Sequence, residues 1–108
     1  MDFVFGSNLV IMKLIFDSVK IGDSQKFIRR CGYGQHRVRN GEVSYVKRVH
    51  GDWYPRFHVY ILENKDKTIF NLHLDQRQPV YEGVTAHGGE YDGAIVEKEA
   101  ERITKFVI

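Results

Sequence analysis

The chain has too few of several residue types to support the covalent and metal frameworks that small domains often use. Cys31 is the one cysteine among 108 residues. No internal disulfide can form, and no Cys-x-x-Cys pair exists to build a structural zinc finger. A lone thiol fits a reducing, cytoplasmic setting. There are only two prolines, and no low-complexity tract or repeat interrupts the sequence. A long apolar run is also missing. Residues 1–11 are fairly apolar, but they carry Asp2, lack a basic start and break at Gly6-Ser7-Asn8. That pattern fits neither a signal peptide nor a membrane span, so a membrane is not among the expected partners. HExxH, His-x-His, P-loop and Rossmann patterns are all absent, and no named chemistry can be read from a motif.

What is present is ordinary for a globular domain, with 43% apolar and 28% charged residues. At this length one domain is expected, alone or as a homodimer. Met12 is followed by Lys13-Leu14-Ile15-Phe16-Asp17, a natural opening strand. Residues 1–11 therefore read as a dispensable N-terminal extension and 12–108 as a single α+β domain. The net charge of +2 hides an asymmetry: Lys20 to Arg56 holds nine Lys or Arg against three acids, and Phe57 to Ile108 holds six against nine. The basic half suggests contact with phosphate or another anion.

Local patterns give the elements. Asp23-Ser24 offers an N-cap for a short helix through Gln25 to Arg30, ended by Gly32 or Gly34. Asn40-Gly41 marks a turn, Glu42 to His50 a strand, and Gly51-Asp52 a tight hairpin turn. Phe57, Val59 and Ile61 alternate with Arg56, His58 and Tyr60, and Phe70, Leu72 and Leu74 alternate with Asn71, His73 and Asp75. A hairpin centred on Lys65-Asp66 pairs Phe57 with Leu74, His58 with His73 and Arg56 with Asp75. A slip of one residue would set apolar against polar on both faces. The tight turn before it would place Tyr45 opposite His58 and Lys47 opposite Arg56. Val96, Ala100, Ile103 and Val107 recur at helical spacing and predict a C-terminal helix over the apolar face. The expected fold is an antiparallel meander of three to four strands, with that helix on one face and a short helix after the first strand. A long loop, Gln76 to Tyr91, would lie partly over the polar face.

The chemistry expected of this fold sits on the polar face. His58, His73, His87 and Asp75 form a candidate ligand set for zinc or another divalent transition metal, because neutral imidazoles and a carboxylate suit borderline cations. His58, His73 and Glu90 are the candidate acid/base groups, and Arg56, Lys47, Tyr45 and Tyr60 the candidate substrate contacts. The preferred reading is a divalent-metal- or histidine-dependent hydrolase of phosphodiesters. One alternative is a noncatalytic module that binds RNA or single-stranded DNA on the same face. A second is a structural or protein-interaction domain that uses Trp53-Tyr54-Pro55 and Pro79-Val80-Tyr81. Each residue also has a plainer role: cross-strand His and Arg–Asp pairs are common surface features, and His36 and His50 fall at loop or turn positions with no special part.

Overall fold

The structure, a computed structural model, describes residues 3–5, 10–39, 42–76 and 93–107. In chain order the elements are β1 (Phe3–Phe5), β2 (Val10–Asp17), α1 (Ser18–Ile21), α2 (Ser24–Arg30), β3 (Gly34–Arg39), β4 (Glu42–Arg48), β5 (Arg56–Glu63), β6 (Lys67–Asp75) and α3 (Gly93–Thr104). The fold is α+β. One antiparallel sheet runs in the order β1-β2-β6-β5-β4-β3. Five strands of six to nine residues make its body, and the three-residue β1 lies at one edge. This exceeds the three to four strands expected. β3 has no sequence signature, because Gly-Gln-His-Arg-Val-Arg lacks a period-two apolar pattern, although it pairs with β4 along its length.

The β5–β6 register is the expected one, with Phe57 opposite Leu74, Val59 opposite Leu72 and Ile61 opposite Phe70. β2 extends this apolar face on the other side of β6 through Met12, Leu14 and Phe16. Phe70 is the junction: its ring stacks on Phe27 of α2 at 5.7 Å and meets Phe16 edge-on at 6.0 Å. Such ring pairs add about 0.5–1.5 kcal/mol each beyond the area they bury. α2 starts where expected, because the Asp23 carboxylate accepts from the N–H groups of Gln25 and Lys26, both at 3.0 Å. It stops at Cys31, and Gly32 turns the chain away at φ +99°.

α3 turns Val96, Ala100 and Ile103 onto β2 and β6, as their spacing predicts. All three helices feed the same core: Ile21 from α1, Phe27 and Ile28 from α2, and these three from α3. The opposite, outer face of the sheet carries no helix among the described residues. Also among them, no helix is long and apolar enough to cross a membrane.

The β4–β5 register corrects the expectation by one residue. Tyr45 pairs with Val59, Val46 with His58, Lys47 with Phe57 and Arg48 with Arg56. The connection is not a tight Gly51-Asp52 turn but a longer loop, Val49 to Pro55, in which the Val49 N–H donates to the Pro55 carbonyl at 3.1 Å. Side chains alternate along a strand, so this offset exchanges the two faces of β4. Tyr45 becomes the largest fully buried side chain of the core. The Lys47 stem lies on the helix side, with Cε 3.3 Å from where a Cβ on Gly32 would stand.

Candidate functional site

The outer face is organised around one carboxylate. Asp75 ends β6 directly opposite Arg56, and His73 faces His58 one step along the ladder. The Arg56 Nε donates to Asp75 Oδ2 at 3.2 Å, His58 Nδ1 lies 3.1 Å from the same oxygen, and His73 Nε2 lies 3.2 Å from Oδ1. Burial alone would raise the Asp75 carboxyl. The hydrogen bonds from His58 and His73, together with the charge of those rings when protonated, outweigh it and hold the group far below the usual carboxylate range. An ionised carboxylate can only accept, so both imidazoles present N–H to it. His58 then carries its proton on Nδ1 and His73 on Nε2 when neutral, leaving a lone pair on the other nitrogen of each ring. His58 Nε2 is buried without a hydrogen-bond partner.

Aromatic rings pack round this centre. Tyr60 stacks on His58 at 4.7 Å and 23° and lies 5.6 Å from His73, and the two imidazoles are 4.8 Å apart. The Arg56 guanidinium lies 4.8 Å from the Trp53 ring and 4.6 Å from the Tyr54 ring. It is largely buried, and its Nη1 has no hydrogen-bond partner. Arg56 therefore acts first as a brace for Asp75. The Arg56 and Arg48 side chains face each other across the strands, and Trp53 lies against both, 4.6 Å from the Arg48 guanidinium.

His58, His73, Asp75, Arg56 and Tyr60 thus come together as the sequence suggests. Tyr45 and Lys47 do not: both sit on the core face, where the β4–β5 offset puts them. Arg48, not Lys47, takes the outer-face position opposite Arg56. His87 and Glu90 lie outside the described residues.

One residue given no role in the sequence joins the group. A β-bulge between Gln35 and Arg37 shifts the β3 register at His36. The His36 ring lies 5.6 Å from that of His58, edge-on, and 6.1 Å from that of Trp53. A bulge leaves no periodic signature in a polar strand, so nothing in the residue order pointed to it. His50 is exposed in the β4–β5 loop, 3.9 Å from Asp52 and away from the cluster.

One nitrogen from each of His58 and His73 and an oxygen of Asp75 lie within 4.8 Å of one another, the one such group among the described residues. Metal–ligand bonds of about 2.0–2.2 Å in a tetrahedron set neighbouring ligand atoms roughly 3.3–3.5 Å apart. The two Asp75–imidazole contacts, 3.1 Å to Oδ2 and 3.2 Å to Oδ1, are hydrogen bonds in the metal-free site, and an ion held by these nitrogens would take the place of their protons. The residues fit a divalent ion, with Arg56 as the outer partner that orients the carboxylate. No protein-family model, curated protein or solved structure matches the chain.

Proposed function

We propose that the outer face of β5 and β6 is the site of a divalent-metal- or histidine-dependent hydrolase acting on phosphodiesters, with nucleic acid as the substrate class. The observation that carries this reading is the convergence of His58, His73 and Asp75 from two adjacent, rigid strands onto one point. Strand-borne groups keep their geometry without help from a loop. A bound divalent ion would supply Lewis acidity and a more acidic water. The protein's own contribution is positional: Asp75 orients both imidazoles and, with no ion bound, fixes which nitrogen of each is protonated, and Arg56 holds Asp75. Without an ion, the same pair of rings could donate and accept protons as general acid and base. Arg48 is an exposed cation on this face suited to hold a phosphate.

The test is elemental mass spectrometry on untagged protein purified without chelator, beside the His58→Ala/His73→Ala double variant, followed by a phosphodiesterase assay on both. The metal form predicts near-stoichiometric zinc, manganese or nickel that disappears in the variant, together with hydrolysis that the variant lacks. Metal-free protein that hydrolyses through the histidines supports the acid/base form. No metal and no hydrolysis by the parent protein overturns both.

A further inference from the structure

Trp53 is 44% exposed on the β4–β5 loop, the one aromatic residue among the described large apolar side chains left open to solvent. Two guanidinium groups lie against it, and they differ in kind. Arg56 has a side-chain exposure of 8% and is tied to Asp75, so it supports the indole from the protein side. Arg48 is exposed, its guanidinium 4.6 Å from the ring centroid, and it makes a long contact, 3.5 Å, to the Gly51 carbonyl. An exposed indole flanked by a displaceable cation has the makings of a base-stacking platform: an aromatic base can take the place of the guanidinium, and the freed cation stays beside the phosphate.

The surroundings point to the same kind of ligand. The ring contacts run without a break from Trp53 through His36 to His58, at 6.1 and 5.6 Å, so the platform adjoins the histidine–carboxylate cluster. The cations of this face that lie against it are Arg48 and Arg56; Lys20 of α1, Lys26, Arg29 and Arg30 of α2 and the Lys47 stem belong to the helix side. A polyanion is attracted to an exposed cation such as Arg48, and a base stacked on Trp53 would lie close to the cluster. Bases in a duplex are already stacked and cannot offer a face to a loop tryptophan.

We propose that Trp53 and Arg48 form a stacking subsite for single-stranded nucleic acid, with the base on the indole and the adjacent phosphate on Arg48. The subsite deepens the phosphodiesterase reading by supplying its substrate contact, yet it can bind with no ion present.

Trp53 is the only tryptophan in the chain, so its fluorescence reports on this position alone. The experiment titrates the full-length protein, in the presence of chelator, with oligodeoxythymidylate, with oligouridylate and with a duplex of matched length, at several salt concentrations. The expected result is saturable quenching by one or both single strands, much weaker quenching by the duplex, and affinity that falls as salt rises. Affinity measured by anisotropy of a labelled oligonucleotide should fall roughly 5- to 150-fold in Trp53→Leu, the range set by loss of one stacked base, and much less in Trp53→Phe. Arg48→Gln should lower the slope of log affinity against log salt by about 0.7, the value for one single-strand phosphate contact. Unquenched fluorescence, or Trp53→Leu binding as tightly as the parent protein with its thermal transition unchanged, overturns the proposal. Binding that is equal for duplex and single strand does the same, because it reduces the interaction to charge alone. Quenching without any metal or hydrolysis would leave the subsite standing and remove the hydrolase.

Discussion

At the scale of single residues, Asp75 is where structure and chemistry meet. Its carboxyl is held below its ordinary value, so it contributes stability that is present above about pH 4 and is lost as pH falls toward the folded value. We expect the difference in urea midpoint between the parent protein and Asp75→Asn to be largest near neutrality and to shrink progressively below about pH 4. A difference that stays constant down to pH 2 would mean that the ion pair contributes nothing. Cys31 behaves in the opposite sense. Burial raises its thiol to about 11, so at neutral pH it is an inert thiol. Native protein should resist alkylation at pH 7.5 and react once unfolded, which pulsed alkylation in increasing urea would follow; rapid labelling of the native state would contradict its placement in the core. The residue-level content of the site was partly legible. His58 and His73 could be set opposite each other because both strands alternate cleanly. His36 could not be assigned, because its place depends on a bulge that the residue pattern does not encode.

At the scale of elements, legibility follows how unevenly apolar side chains are divided between the two faces. In β5 and β6 one face is apolar along most of its length, and the register follows from that alone. In β4, Val43, Tyr45 and Lys47 share one face and Ser44, Val46 and Arg48 the other, so each face is mixed and the pattern alone does not fix the register. The buried indices of that choice can be tested. Phe57→Ala and Leu72→Ala should each cost about 2–5 kcal/mol in urea unfolding, the range for large-to-small core changes. Tyr45→Phe should be near neutral or slightly stabilising, because the Tyr45 hydroxyl is buried without a hydrogen-bond partner. A loss above 2 kcal/mol there would show that the hydroxyl is in fact partnered. The helices were easier to read than β4, since Asp23 caps α2 and the apolar spacing of α3 has only one face to bury.

For the molecule as a whole, the helix side holds a second polar network that no sequence spacing links. The Tyr33 hydroxyl donates to Glu99 at 2.5 Å, and Arg102 donates to both Glu99 oxygens, at 2.7 and 2.9 Å. Arg102 also reaches the Cys31 carbonyl, so α3 is tied to the turn after α2. Tyr33 and Glu99 are both buried, so removing Glu99 leaves the Tyr33 hydroxyl without its partner away from water, while Arg102 can turn to solvent. Glu99→Ala should cost about 1–3 kcal/mol by urea unfolding, the range for a buried polar group left without its partner, while Glu101→Ala, on the exposed side of the same helix, should cost little. Equal effects would reduce Glu99 to an ordinary surface acid. These contacts lie across the sheet from His58 and Asp75, so substitutions in one group are expected to leave the other group's measurements unchanged.

The loop from Val49 to Pro55 is long enough to permit either pairing of β4 with β5. Which face of β4 meets the histidines is therefore set by packing, through the pairing of Arg48 with Arg56. A slip of one residue would offer Tyr45 to solvent and push Arg48 toward the core, an exchange that the packed interior resists. What lines the site is guarded by the hydrophobic interior behind it: the core, by holding Tyr45, keeps the register, and the register keeps Arg48 beside Trp53.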